Sequence, residues 1–176
     1  MTIRRVHPEE HQALGALTVA AYRALLGPDM SAGYAAELAD VHGRAALVDV
    51  LVEVDEGGRL LGGVTYIPGP GPLAWFADAG DAGMRMLAVE PAAQGRGAGA
   101  RLVAACVERA TAAGKRRLLL HTTAPMTVAH RIYQRAGFER DPDHDEVLEG
   151  GLHLFAYVLD IDDGRVVGAR PGGATG

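Results

Sequence analysis

The stretch MLAVEPAAQGRGAGARLVAACVERA, residues 86–110, decides the fold. An apolar run closes at Glu90-Pro91, and glycines follow at positions 95, 97 and 99. Leu102, Val103, Cys106 and Val107 then recur at helical spacing. One glycine makes a turn, whereas several cost folding entropy. Three in five residues imply that something must come very close to the backbone. The order strand, glycine loop, helix gathers backbone N–H groups around a concavity at a helix N-terminus. The orphan donors of that first turn and the dipole's positive end favour an anion, so the loop reads as a phosphate cradle.

The rest of the chain bounds this reading. Its 176 residues fit one domain, able to bury about 70% of its unfolded surface. The net charge is −5, from 17 basic and 22 acidic side chains, which argues against a nucleic-acid partner. The one basic cluster, Lys115-Arg116-Arg117, reads as a solvated helix end. The single cysteine, Cys106, permits no internal disulfide and lies on an apolar helical stripe, so it reads as a buried thiol. The opening MTIRRVHPEE is too polar for a signal peptide, and no apolar run nears the length of a bilayer span. A soluble, cytoplasmic protein with no membrane partner is expected.

Around the decisive stretch, TIRRV reads as a first strand. Pro8, Glu9 and Glu10 open a helix whose apolar positions are Leu14, Leu17, Ala21 and Leu25. Ser31 caps a second helix with Tyr34, Leu38 and Val41 on one face. AALVDVLVEV and LLGGVTYI form a hairpin about the turn DEGGR. PGPGP makes residues 68–80 a loop. A strand from Met84 to Val89 leads into the glycine loop and a helix to about Ala113, with Gly114 as C-cap. RRLLLHT is a strand, APMTVAHRIYQRAG a helix, Phe138 the start of a short strand, and LHLFAYVLDI the last. The hairpin demands antiparallel pairing and the later strand-helix-strand units parallel pairing. The expectation is therefore an α/β (α+β) fold with a mixed sheet and helices on both faces. The domain is placed at residues 1–161, with a flexible tail over 162–176.

Two phosphate-binding patterns do not fit. A P-loop needs Lys and then Ser or Thr after its glycines, but Gly99 is followed by Ala100 and Arg101. The dinucleotide fingerprint needs G-x-G-x-x-G early in the chain and an acid at the end of the next strand, which here ends HTT. QGRGAG instead matches the Gln/Arg-x-x-Gly-x-Gly/Ala signature, and TVAHRIYQRAGF resembles an A-x-x-L-Y-x-x-x-G-F signature. Ala129, Ile132, Tyr133, Gly137 and Phe138 are in register with it. The chain thus resembles the GNAT superfamily of acyl-coenzyme A-dependent N-acetyltransferases, specifically over residues 84–140 and in element order over 1–160.

The resemblance implies a mostly antiparallel sheet of six or seven strands, splayed between the fourth and fifth. Acetyl-CoA would be the cosubstrate, with no metal. It implies that the amides of Gln94, Gly95, Arg96, Gly97, Ala98 and Gly99 hold the pyrophosphate. The backbone of Leu87, Ala88 and Val89 would meet the pantetheine arm, with an amide near Leu87 facing the thioester carbonyl. Tyr133 matches the family's general acid, although the stripe Ala129, Ile132, Tyr133, Ala136 also suits a core aromatic. Met126 stands where many members have an asparagine. Asp81, Glu53, His121 or water are the candidates for a general base. His7 and His11 do not suggest a metal site, and the acidic run 141–146 reads as a solvated loop or as the border of an amine site. The implied activity is acetyl transfer from acetyl-CoA to a primary amine of a small molecule or peptide by direct attack. The alternative is a non-catalytic acyl-CoA sensor. Late strands make a homodimer plausible.

Overall fold

The computed structural model describes residues 1–28, 30–148, 151–162 and 165–167. The chain runs β1 (Thr2–Arg5), α1 (His11–Leu26), α2 (Ala32–Ala39), α3 (Val41–Ala45), β2 (Asp49–Val54) and β3 (Leu60–Ile67). There follow β4 (Asp81–Val89), α4 (Ala98–Ala112), β5 (Arg117–Thr122), α5 (Thr127–Arg135), β6 (Glu139–Arg140), β7 (Glu146–Val147), β8 (His153–Asp162) and β9 (Arg165–Val167). The sheet order is β1-β2-β3-β4-β5-β8-β6, with β7 and β9 also pairing with β8. Among the described residues only β4 and β5 are parallel; the other pairings are antiparallel. The expected mixed sheet of six or seven strands is the seven-strand path of this order, and the two short extra strands extend it.

Local chemistry sets the element boundaries. Ser31 Oγ accepts from the Tyr34 amide at 3.1 Å and starts α2. Asp40 accepts from the Gly43 amide at 2.8 Å and starts α3, which breaks the long second helix read from the sequence. α3 and the turn after it also take up residues 41–48, so β2 begins at Asp49 rather than at Ala45. Asp55 Oδ1 accepts from the amides of Gly57 and Arg59 and closes the hairpin turn. Gly114, at φ 65°, ends α4.

Alternation along the strands divides the core. Val50, Val52 and Val54 face Leu14 of α1 and Val41 of α3. Leu51 turns to the opposite face, where Leu102, Val103 and Cys106 of α4 cover Val64, Met84, Leu118 and Leu120. A third cluster sets Met86 and Ala88 of β4 against Ala21, Tyr22 and Leu38. Helices therefore lie on both faces. Each fully buried leucine contributes about 1.5–3 kcal/mol.

The stripe of α1 is rotated from the one expected. Leu14, Gly15, Thr18, Ala21 and Tyr22 are buried, while Leu25 is 45% exposed. A methyl group at Gly15 would sit 2.5 Å from Ala39 O, so α2 packs directly on the backbone of α1 there. β4 starts at Asp81, three residues before the apolar run, because Asp81 pairs with Arg117 of β5. Of the stretch expected as a tail, Asp162 and Arg165–Val167 are strand. Residues 163–164 and 168–176 lie outside the described residues.

Candidate active site

The strands that the sequence placed side by side part almost at once. β4 and β5 pair only from Asp81↔Arg117 to Gly83↔Leu119. Asp81 is 1% exposed. Its two oxygens take Arg117 Nε at 2.9 Å and Nη2 at 2.6 Å, a bidentate clasp on the closed end of the wedge. Beyond Gly83 the register also shifts against β3: Thr65 faces Arg85 and Gly63 faces Ala88, leaving Met86 and Leu87 without partners. Met86 carries the shift at φ 56°, a left-handed conformation that a non-glycine residue adopts at about 1–2 kcal/mol. Burial of its side chain against α1 and α2 holds it there. The bulge bends β4 away from β5 and leaves strand edges facing an opening.

α4 starts at the mouth of that opening. Gly97, its N-cap, has φ 83°, and Gly95 has φ 74°; both need glycine. The Gln94 amide bonds to Pro91 O and the Arg101 amide to Gly97 O. Between them, the amides of Gly95, Arg96, Gly97, Ala98, Gly99 and Ala100 have no backbone acceptor among the described residues. Six donors thus lie unpaired with the backbone at the positive end of a 15-residue helix. A side chain at Gly99 would meet Ile132 Cδ1 at 3.0 Å, so this glycine lets α5 close on α4.

The loop is braced from behind. Arg101 sends Nη1 to the Arg96 carbonyl at 2.9 Å and Nε to Glu53 Oε1 at 2.6 Å. Glu53 is 1% exposed on the α4 face of β2, and its Oε2 has no partner among the described residues. Sequence reading did not single out Arg101. Its position one turn into α4 was a signal, but Glu53 is 48 residues away.

A groove of about 430 Å³ runs from the loop into the wedge. Of the residues expected at the site, Leu87, Val89, Gln94, Gly95, Gly97, Ala98, Gly99 and Tyr133 line it. Ala88 and Arg96 do not: the Ala88 side chain packs in the core against α1 and α2, and Arg96 is exposed. Met126 lines the groove and offers an apolar wall. Arg85, Arg131 and Arg135 also line it, and among the described residues no carboxylate does. This wall is cationic on a chain of net charge −5.

Tyr133 is 5% exposed, with Phe138 and Tyr157 rings at 5.9 and 6.2 Å. Burial pushes its phenol well above the ordinary tyrosine range. It remains a protonated donor at the groove wall. Cys106 is buried, and burial pushes its thiol up to about 12, so it is inert at neutral pH.

A second cavity, of about 470 Å³, lies beside the wedge. Trp75 and Phe76 from the 68–80 loop, Arg117 and His121 from β5, and residues 141–146 form its walls. Six carboxylates and one guanidinium line it. Much of that charge is already paired: Asp81 with Arg117, Asp78 with Arg116, Asp145 with Arg140. His121 lines both cavities. No group of three or more His, Cys, Asp or Glu side chains gathers for a metal among the described residues, and no helix there is long and apolar enough to cross a membrane.

The fold has solved counterparts. A GNAT-family acetyltransferase of Staphylococcus aureus Mu50 superposes with a TM-score of 0.72 at 11% identity, over 92% of this chain and 99% of that one. The protein yncA of Salmonella typhimurium, solved with its cofactor acetyl-CoA, gives 0.66 at 22% identity, over 98% of each chain. A ribosomal-protein-alanine N-acetyltransferase of Brucella melitensis gives 0.66 at 20% identity, over 91% of this chain and 99% of that one. Identities this low carry the fold alone. No curated protein sequence matches the chain. The sequence profile of the Acetyltransferase (GNAT) family matches residues 16–138, from α1 through the glycine loop and α5 to Phe138. By that match over more than half its length, the chain belongs to the GNAT family of acetyltransferases.

Proposed function

We propose that this protein transfers an acetyl group from acetyl-CoA to a primary amine, by direct attack within a ternary complex. The observation that carries the reading is the run of unpaired amides from Gly95 to Ala100 at the mouth of an opened β4–β5 wedge. A pyrophosphate would accept from those amides, and the three groove arginines suit its charge. The pantetheine arm would lie along the free edge of β4 at Leu87, Ala88 and Val89, as an added strand does. That places the thioester where the bulge frees an amide to hold the developing oxyanion.

The amine nitrogen attacks the thioester carbon, a C–N bond forms, and the C–S bond then breaks. The departing sulfur belongs to a thiol of ordinary pKa about 8.5. Tyr133, pushed far above that, cannot protonate it fully; it donates a hydrogen bond that stabilises the thiolate as it leaves. Solvent completes the thiol. Cys106 is too deeply buried to form a covalent intermediate, which supports direct transfer.

A panel of primary amines, with coenzyme A thiol release as the readout, tests the reading. Release with at least one amine class, and acetylated product by mass spectrometry, is expected. Tight acetyl-CoA binding with no release from any amine would leave a non-catalytic acyl-CoA sensor.

A further inference from the structure

Resting on the transfer reading, we propose that His121 is the general base, its Nδ1 taking the proton that the attacking amine must lose. The other two carboxylate candidates are already engaged. Asp81 spends both oxygens on Arg117 at the closed end of the wedge. Glu53 is bound to Arg101 behind the glycine loop and lines neither cavity.

His121 differs from both in position and in bonding. It lies on β5 beyond the last β4–β5 pair, where the strands have parted. Among the described residues it is the one titratable group common to the walls of the acetyl-CoA groove and the second cavity. An amine entering through the second cavity therefore meets His121 before it meets the thioester. Its Nε2 lies 3.0 Å from the His144 carbonyl. A carbonyl oxygen only accepts, so in the neutral ring the proton sits on Nε2 and Nδ1 keeps its lone pair. Trp75, with ring centroids 5.2 Å apart, packs on the imidazole and limits its rotation. The ring is thus held by a hydrogen bond on one nitrogen, and the other has no partner among the described residues, the arrangement a general base needs.

The proton count closes. As the C–N bond forms, the amine nitrogen becomes positive and gives one proton to His121 Nδ1. The C–S bond breaks towards Tyr133, and the thiolate takes its proton from solvent. His121 returns its proton to solvent, so amine and thioester become amide and thiol.

His121→Gln is the variant of choice. The glutamine amide replaces the Nε2–H donor to the His144 carbonyl and keeps the wall, but offers no base. With an amine that the wild type acetylates, kcat near neutral pH should fall by about 10²–10³-fold. Acetyl-CoA affinity should stay within about twofold, as the pyrophosphate loop is untouched. The deficit should narrow as pH rises and hydroxide takes over the proton removal. A merely structural histidine would give a deficit independent of pH. The groups that face His121 and could shape the profile are His144, Asp145 and Glu146, Asp141 and Asp143, Tyr157 on β8, Asp78 and Asp81 with Arg117, and Tyr133 and Arg85 across the groove. Asp145, held to about 2 by its bond from Arg140, stays ionised throughout. A separate readout needs no turnover: long-range proton–nitrogen NMR should give His121 a protonated Nε2 and an unprotonated Nδ1. Wild-type turnover matched by His121→Gln, or a proton found on Nδ1 of the neutral ring, would overturn the assignment alone. A wild type that releases thiol with no amine would overturn the transfer reading and the base with it.

Discussion

Removing the guanidinium that braces the glycine loop should separate stability from ligand binding. In Arg101→Met the Glu53 carboxylate, 1% exposed, loses the guanidinium at 2.6 Å that is its one partner among the described residues. Breaking a fully buried pair costs about 3–5 kcal/mol, and Arg101 itself is 41% exposed, so water offsets part of this. A loss of about 2–3 kcal/mol is expected, or about 4–12 °C in Tm for a domain of this size. The same variant frees the Arg96 carbonyl, a tether worth about 1 kcal/mol, which should weaken acetyl-CoA binding about fivefold. In Glu53→Met/Arg101→Met no buried carboxylate is left unpaired beneath the loop, and two apolar chains fill the space. Stability should then return most of the way to wild type, while acetyl-CoA affinity stays low because the tether is still missing. Urea denaturation and calorimetric titration of the three proteins measure both quantities. Equal destabilisation of the single and double variants would refute the buried-charge argument. Recovered affinity in the double variant would refute the tether.

Three further outcomes follow from single sites. Tyr133→Phe should lower turnover about 10–100-fold, the value of one hydrogen bond to a charged group, with acetyl-CoA affinity unchanged by titration. Gly62→Ala puts a methyl group 2.5 Å from the backbone carbonyl of Ala88, which cannot swing aside; stability by urea denaturation should fall by about 3 kcal/mol or more, or the chain should not fold. Cys106 should resist thiol reagents in the native protein near pH 8 and react at once in denaturant. Because burial raises its pKa from 9.0 to about 12, its contribution to stability is full below pH 9.0 and is lost as pH rises towards about 12, which a denaturation series at alkaline pH measures.

Much of the fold was legible because its signals are local. The cap at Ser31, the Asp55 turn, the left-handed glycines and strand alternation each act within a few residues. The paired motifs at 94–99 and 129–138 each contribute residues to the walls of one groove, though not Arg96 or Phe138. What stayed hidden depends on tertiary contact. Asp81 reads as an exposed acid before an apolar run, yet the strand extends to it because Arg117 lies opposite. The rotation of α1 answers to the close approach of Ala39 at Gly15, not to hydropathy. Arg101 and Glu53 look like ordinary surface charges until β2 brings the carboxylate under the loop. His121 reads as one histidine in an apolar strand, and only the parting of β4 and β5 sets it between two cavities.

Calorimetric titration of the purified protein with acetyl-CoA, beside a Gly97→Glu variant shown by circular dichroism to be folded at the titration temperature, tests the central claim most directly. Gly97 needs its left-handed conformation, and a carboxylate there would stand against the pyrophosphate. Binding by the wild type in the micromolar range, abolished in the variant, is the predicted result. Equal binding by the two proteins, or none by a folded wild type, would contradict the claim that the Gly95–Ala100 amides hold the coenzyme.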